Sequence, residues 1–90
     1  MNIDIRKSFY HNIKKITDKT TKAEVKQAIL AVKKAQTIRD IPELRKLEGY
    51  KKGIFYRIAV GNYRIGITIE DNLVTFAKCL PRKDFYKFYP

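Results

Sequence analysis

Arginine is the side chain here whose type and spacing could do chemistry. Arg57 and Arg64 stand seven residues apart on either side of Gly61-Asn62. Arg82 opens a closing segment, Arg82-Lys83-Asp84-Phe85-Tyr86-Lys87-Phe88-Tyr89, in which basic and aromatic residues interleave. A guanidinium is a planar fork of donors that matches phosphate oxygens and stays charged at any cellular pH. Basic groups grip a phosphate chain while aromatic rings stack on unpaired bases, the usual way single-stranded RNA is held. Lys83 and Lys87 fit that pattern, with Tyr86 as a stacking ring. Both features also admit a structural reading: the two strand arginines as ordinary solvent-facing residues, the terminal aromatics as a cluster docked on a core edge.

Other chemistries lack their residues. One cysteine, Cys79, and one histidine, His11, cannot assemble a Cys/His zinc site, so no metal or cofactor is expected. The four glycines have no phosphate-loop spacing, which sets nucleoside triphosphate hydrolysis aside. His11 reads as an exposed helical residue, and Cys79 as partly buried. The 90 residues make a single domain, 1–90, with 20 Lys plus Arg against 9 Asp plus Glu and a net charge of +11. With 44% hydrophobic residues the charge sits on a folded domain, and the partner it suggests is a polyanion. No apolar run is long enough for a membrane span or a signal peptide, so a cytoplasmic protein with no membrane partner is expected.

The elements that must position these residues follow from hydrophobic period. Met1 to Arg6 alternates as a short half-buried strand. Ser8 can cap a helix whose apolar face is Phe9, Ile13 and Ile16, and Thr17 to Thr21 breaks it. Thr21 and Glu24 have capping-box spacing, and Val25, Ala28, Ile29 and Val32 carry a second helix to about Gln36. Ile38 to Leu47 reads as a connection in which Asp40 caps a single turn containing Pro42, with Leu44 and Leu47 available to the core. From Ile54 the period becomes two. Gly61-Asn62 and Asp71-Asn72 are tight-turn signals that divide residues 54–80 into a three-stranded antiparallel meander. The class is α+β: an N-terminal strand, a helical hairpin packed on the meander, and a short C-terminal helical segment.

Two-residue turns fix the register. Val60 should face Tyr63, Ala59 Arg64, Ile58 Ile65 and Arg57 Gly66; in the second hairpin Ile69 should face Val74, Ile67 Phe76, Gly66 Ala77 and Arg64 Cys79. One sheet face is then apolar and packs on the helices. The other carries Arg57 and Arg64 as diagonal neighbours over a floor of Ala59, Gly66, Ala77 and Cys79, which suggests a concavity. Lys78 falls on the apolar face, where it does not fit, so a bulge or an exposed strand end is expected there.

The stretches Leu44-Arg-Lys-Leu47-Glu-Gly49-Tyr50, Phe55-Tyr56-Arg57-Ile58, Gly61-Asn-Tyr63-Arg64-Ile65 and Arg82-Lys-Asp-Phe-Tyr86 together resemble the RelE/ParE superfamily of type II toxins, in order and spacing, over essentially the whole chain. In its RelE branch the resemblance implies ribosome-dependent mRNA cleavage without metal, the substrate's own 2′-hydroxyl attacking the adjacent phosphorus. By position, Arg57 matches a basic residue on the nucleophile side, Arg64 a phosphate-binding arginine, Arg82 a transition-state arginine and Tyr86 a base-orienting tyrosine. Lys51 and Lys52 could add charge from the loop entering the sheet. Ala59 and Pro81 stand where relatives often have lysine and histidine, which removes two proton-transfer groups. Glu43 lies near a position where some relatives carry a carboxylate, though a solvent-exposed connector also describes it. The implied partners are a cognate acidic antitoxin, the ribosome and mRNA. A ParE-like protein that binds DNA gyrase, with no nuclease chemistry, is the alternative.

Overall fold

Alternating apolar side chains from residue 55 to residue 81 need a cover on one face, and the two amphipathic helices supply it. A computed structural model covers residues 1–90. Its elements are β1 (Asn2–Ile5), α1 (Lys7–Lys14), α2 (Lys19–Lys34), a 3₁₀ turn (Ile38–Asp40), β2 (Leu44–Lys46), β3 (Phe55–Val60), β4 (Tyr63–Glu70), β5 (Leu73–Pro81) and α3 (Arg82–Phe88). The fold is α+β, with the predicted strand, helical hairpin, meander and terminal helix in that order. The five strands form one sheet in the order β1-β5-β4-β3-β2, with β1 parallel to β5 and the rest antiparallel. No helix is long and apolar enough to cross a membrane.

Helix starts differ from the sequence reading. Ser8 does not cap α1: Arg6 is its N-cap, and the Ser8 hydroxyl donates to Ala77 O at 2.6 Å, tying the helix to β5. The second helix begins earlier than Thr21, because Asp18 caps it; its carboxylate accepts from the Thr21 N–H at 3.0 Å and the Thr21 hydroxyl at 2.6 Å. Those hydrogen bonds hold the Asp18 carboxyl below its ordinary range. Thr21 and Glu24 therefore lie inside the helix and form no capping box. Asp40 ends its 3₁₀ turn and reaches back, its carboxylate accepting from the N–H groups of Gln36 and Thr37.

The connection read over residues 38–47 contains a strand. Leu44, Arg45 and Lys46 pair with Ile58, Arg57 and Tyr56, extending the meander by one edge. Glu43 enters β2 in the left-handed region (φ 60), and its carbonyl accepts from Ala59 N–H.

The first hairpin has the expected register throughout. The second has it only from Ile67 to Glu70. A bulge between Gly66 and Ile67 leaves Ala77 without a partner, so Gly66 faces Lys78, Ile65 faces Cys79 and Arg64 faces Leu80. The two pairs predicted as Gly66 with Ala77 and Arg64 with Cys79 are thus corrected. The extra residue rotates Lys78 off the apolar face and Cys79 onto it, resolving the misfit.

Two cores result. The larger, between the sheet and α1/α2, contains Phe9, Ile16, Val25, Val32, Ile58, Ile65, Ile67, Val74, Phe76 and Cys79. The smaller, on the opposite face under α3, contains Ala77, Phe85 and Tyr89, with Leu47, Phe55 and Leu80 at its margin.

Candidate functional site

The face expected to form an open concavity is partly roofed. The Tyr89 ring lies on the Gly66 backbone so closely that a Cβ there would meet ring atoms at 2.7 Å, and the Tyr89 hydroxyl donates to Ile67 O at 2.5 Å. Burial pushes that phenol above its ordinary range, against the pull of the Arg6 charge. Phe85 is fully buried beside it. For Phe85 and Tyr89 the docking reading of the C-terminal aromatics is the correct one. Cys79, expected on this floor, is buried in the larger core, which pushes its thiol up to about 12.

Around that roof the basic residues form two groups. Arg64 lies across from Ala59 and Leu80, and its guanidinium donates to Gly61 O at 2.9 Å and Tyr63 O at 2.8 Å, folding toward the β3–β4 turn. The same turn anchors α3, because the Arg82 N–H donates to Asn62 O at 2.7 Å. Arg82, Lys83 and Tyr86 then line a hollow of about 680 Å³ with Asn62 and Pro81. Tyr86 is 57% exposed, free to receive a flat ring. Lys87 is exposed one helical turn after Lys83.

The second group is a row across the sheet: Arg45 on β2, Arg57 on β3, Gly66 on β4 and Lys78 on β5. Arg57 is half-buried and donates to Glu43 O at 3.1 Å. Glu43 thus meets Arg57 through its backbone, and its side chain is exposed. Like charges directly opposite on a sheet are destabilising, so Arg45 and Arg57 are an arrangement that stability alone does not favour.

Of the residues read as site candidates, the fold gathers Arg64, Arg82, Lys83 and Tyr86 at one turn and sets Arg57 diagonally beside Arg64. Lys51 and Lys52 are not brought there. They belong to the β2–β3 loop, at the other end of β3, about 20 Å along the strand from Asn62. Asn62, Arg45 and Lys78 are additions. Asn62 was legible only as a turn residue and Arg45 only as part of a connection, whereas the misfit of Lys78 did point to its place.

Chemically, permanent positive charge surrounds an exposed aromatic ring, with no imidazole or carboxylate donating or accepting at the arginines. Such a face can bind an RNA phosphate, stack a base and neutralise charge developing on phosphorus. It is suited to act by orientation and electrostatics more than by a strong general base.

No family model matches the chain. Toxin RelE3 of Methanocaldococcus jannaschii is 31% identical over 91 residues, covering 100% of both proteins. Among solved structures, a chain of the RelB-RelE antitoxin-toxin complex from Methanococcus jannaschii superposes with a TM-score of 0.78 at 28% identity, over 96% of this chain and 98% of that one. A chain of the archaeal RelE-RelB complex from Pyrococcus horikoshii OT3 does so at 0.71 and 20% identity, over 90% and 93%, a likeness of fold.

Proposed function

The chain belongs to the RelE family of toxins, and on that premise we propose that it cleaves mRNA on the ribosome, through attack of the substrate's 2′-hydroxyl on the adjacent phosphorus and without a metal ion. The new bond closes a 2′,3′-cyclic phosphate, and the 5′-oxygen of the next nucleotide leaves as a hydroxyl. Three things lower the barrier: in-line placement of the hydroxyl, neutralisation of the phosphorane, and proton delivery to the leaving oxygen. Arg57 serves the nucleophile side, Arg64 holds the phosphate, Arg82 meets charge on the phosphorane and leaving oxygen, and Tyr86 stacks on a base. The observation that supports this reading is the tie of Arg64 and Arg82 to one β-turn, with Tyr86 exposed above the same hollow. Lys83 and Lys87 hold the RNA backbone nearby. Lys51 and Lys52, at the far end of β3, contact RNA only as an extended strand or the ribosome itself.

The M. jannaschii structure is an antitoxin–toxin complex, and that of P. horikoshii a RelE-RelB complex. By the same kinship this chain has a cognate antitoxin, a small acidic protein that covers the basic face in the cytoplasm. Charge complementarity would speed its arrival.

Translation of a defined mRNA with purified ribosomes, followed by mapping of 5′ ends, tests the activity. New ends in the A-site codon are expected, with Arg64→Ala slowing cleavage about 10²- to 10³-fold. No new ends, together with inhibition of gyrase supercoiling, would replace this reading with the ParE-like one. For the antitoxin, an acidic protein encoded beside this one should copurify on co-expression and relieve growth arrest.

A further inference from the structure

Arg45 and Arg57 face one another across β2 and β3. The flanking bonds, Ala59 N–H to Glu43 O and Leu47 N–H to Phe55 O, make theirs a hydrogen-bonded pair of the ladder, with α-carbons about 5.5 Å apart. The Arg57 guanidinium is held by a backbone carbonyl, Glu43 O, which leaves its positive charge uncancelled beside that of Arg45. With α-carbons that close, two such forks of donors are within reach of the oxygens of one phosphate.

The next position on the same face of β3 is Phe55, about 6.6 Å along the strand. The Tyr50 ring meets Phe55 edge-on at a centroid distance of 5.6 Å, and Phe55 is backed in turn by Tyr89 at 6.2 Å. Tyr50 is therefore a supported ring, yet 48% of it is exposed. A core contact would have buried it. An exposed aromatic braced on Phe55, the next position to Arg57 on this face of β3, has the chemistry of a base platform on the same track as a phosphate site.

We propose that Tyr50, Arg45 and Arg57 form a second nucleotide subsite, in which an unpaired base stacks on Tyr50 and its phosphate lies between the two guanidinium groups. The subsite rests on the reading of this face as RNA-binding and extends it. A strand held here and at Tyr86 runs along β3 past Ala59 and Arg64, with Arg57 shared between this subsite and the nucleophile side of the reactive phosphate. An acidic peptide could occupy the arginines but gains nothing from a bare aromatic face, which is why RNA is the better occupant.

The probe is a fluorescein-labelled, single-stranded 2′-O-methyl hexaribonucleotide, which lacks the attacking hydroxyl, so binding is read by anisotropy without cleavage. Arg45→Ala should weaken binding severalfold and make the plot of log K against log salt shallower by about 0.7, the loss of one phosphate contact on a single strand. Tyr50→Ala should weaken it about tenfold, and Tyr50→Trp should restore it. Both side chains are exposed, so neither variant should melt lower than the wild type, and Arg45→Ala, which relieves a like-charge pair, should melt slightly higher. Should Tyr50→Ala lower the melting point, Tyr50→Leu, which keeps contact with Phe55 but has no π-face, is read in its place. An unchanged salt slope for Arg45→Ala, or a Trp variant as weak as the Ala variant, overturns the subsite. So does a glutamate-rich peptide that binds with the same dependence on Tyr50. Ribosomal cleavage is scored separately. A wild-type protein that binds as described without cleaving keeps the subsite and loses the nuclease. One that cleaves while the Arg45 and Tyr50 variants bind normally keeps the nuclease and loses the subsite.

Discussion

Gly66 decides whether α3 can lie on the sheet, since any side chain there occupies the space of the Tyr89 ring. Gly66→Ala forces a shift in a packed contact and should cost about 1–3 kcal/mol in urea denaturation. The explanation is specific to one ring, so in a Tyr89→Ala background the same substitution should be almost neutral. An undiminished cost there would mean that Gly66 is needed for its backbone and not for Tyr89. Cys79 gives a second residue-level expectation. Its thiol, ordinarily at 9.0, is pushed up to about 12 by burial, so the native state keeps a proton that the unfolded chain releases. The stability it supports is intact below about pH 9 and is lost as the pH climbs toward 12, at up to about 1.4 kcal/mol per pH unit. Tyr89 adds to the decline in the same direction. Denaturation midpoints between pH 8 and 10.5 should fall less steeply for Cys79→Ala than for the wild type, and equal slopes would refute the assignment.

At the scale of elements, α1 does more than cover the sheet. β1 ends at Ile5, which leaves the outer edge of β5 open beyond Phe76. Ser8 takes up Ala77 O there, and the Asn12 amide oxygen accepts from Cys79 N–H at 2.9 Å. Asn12→Ala leaves that half-buried N–H without a partner and should cost about 1–3 kcal/mol, whereas Asn12→Asp keeps an acceptor and should lose much less. Thermal melts of the two variants, measured side by side, separate the hydrogen bond from packing. The same segment shows what a sequence can and cannot disclose. The meander, both tight turns and the Arg57–Gly66 and Ala59–Arg64 pairs follow from local alternation, and the bulge was signalled by one lysine on the wrong face. β2 was not legible, because Leu-Arg-Lys has no period of its own and becomes a strand only through pairing with β3 and the left-handed turn at Glu43. Nothing near Asn2 or Ile5 says that β1 will run parallel to a strand some seventy residues away. With β2 hidden, Arg45 could not be set opposite Arg57, so half of the second arginine pair was invisible before the fold.

At the scale of the molecule, the question is which of the 20 basic residues act at contact and which act only as a field. Lys22, Lys26 and Lys33 sit exposed on α2, across the sheet from α3, in a molecule whose shortest extent is 22 Å. At physiological salt the screening length is about 8 Å, so those charges are shielded from a strand lying on the α3 face. At 0.01 M it is about 30 Å, longer than the molecule is thick, and every charge contributes to attraction. A Lys22→Gln, Lys26→Gln, Lys33→Gln protein should therefore bind the 2′-O-methyl hexamer within about twofold of wild type at 0.15 M salt. At 0.01 M the same protein should associate measurably more slowly in stopped-flow mixing. Arg45→Ala should behave in the opposite way, losing affinity at both salts because a contact is missing and not only a field. If the triple variant loses as much affinity at 0.15 M as Arg45→Ala does, RNA must lie against α2, and the α3 face is not its track.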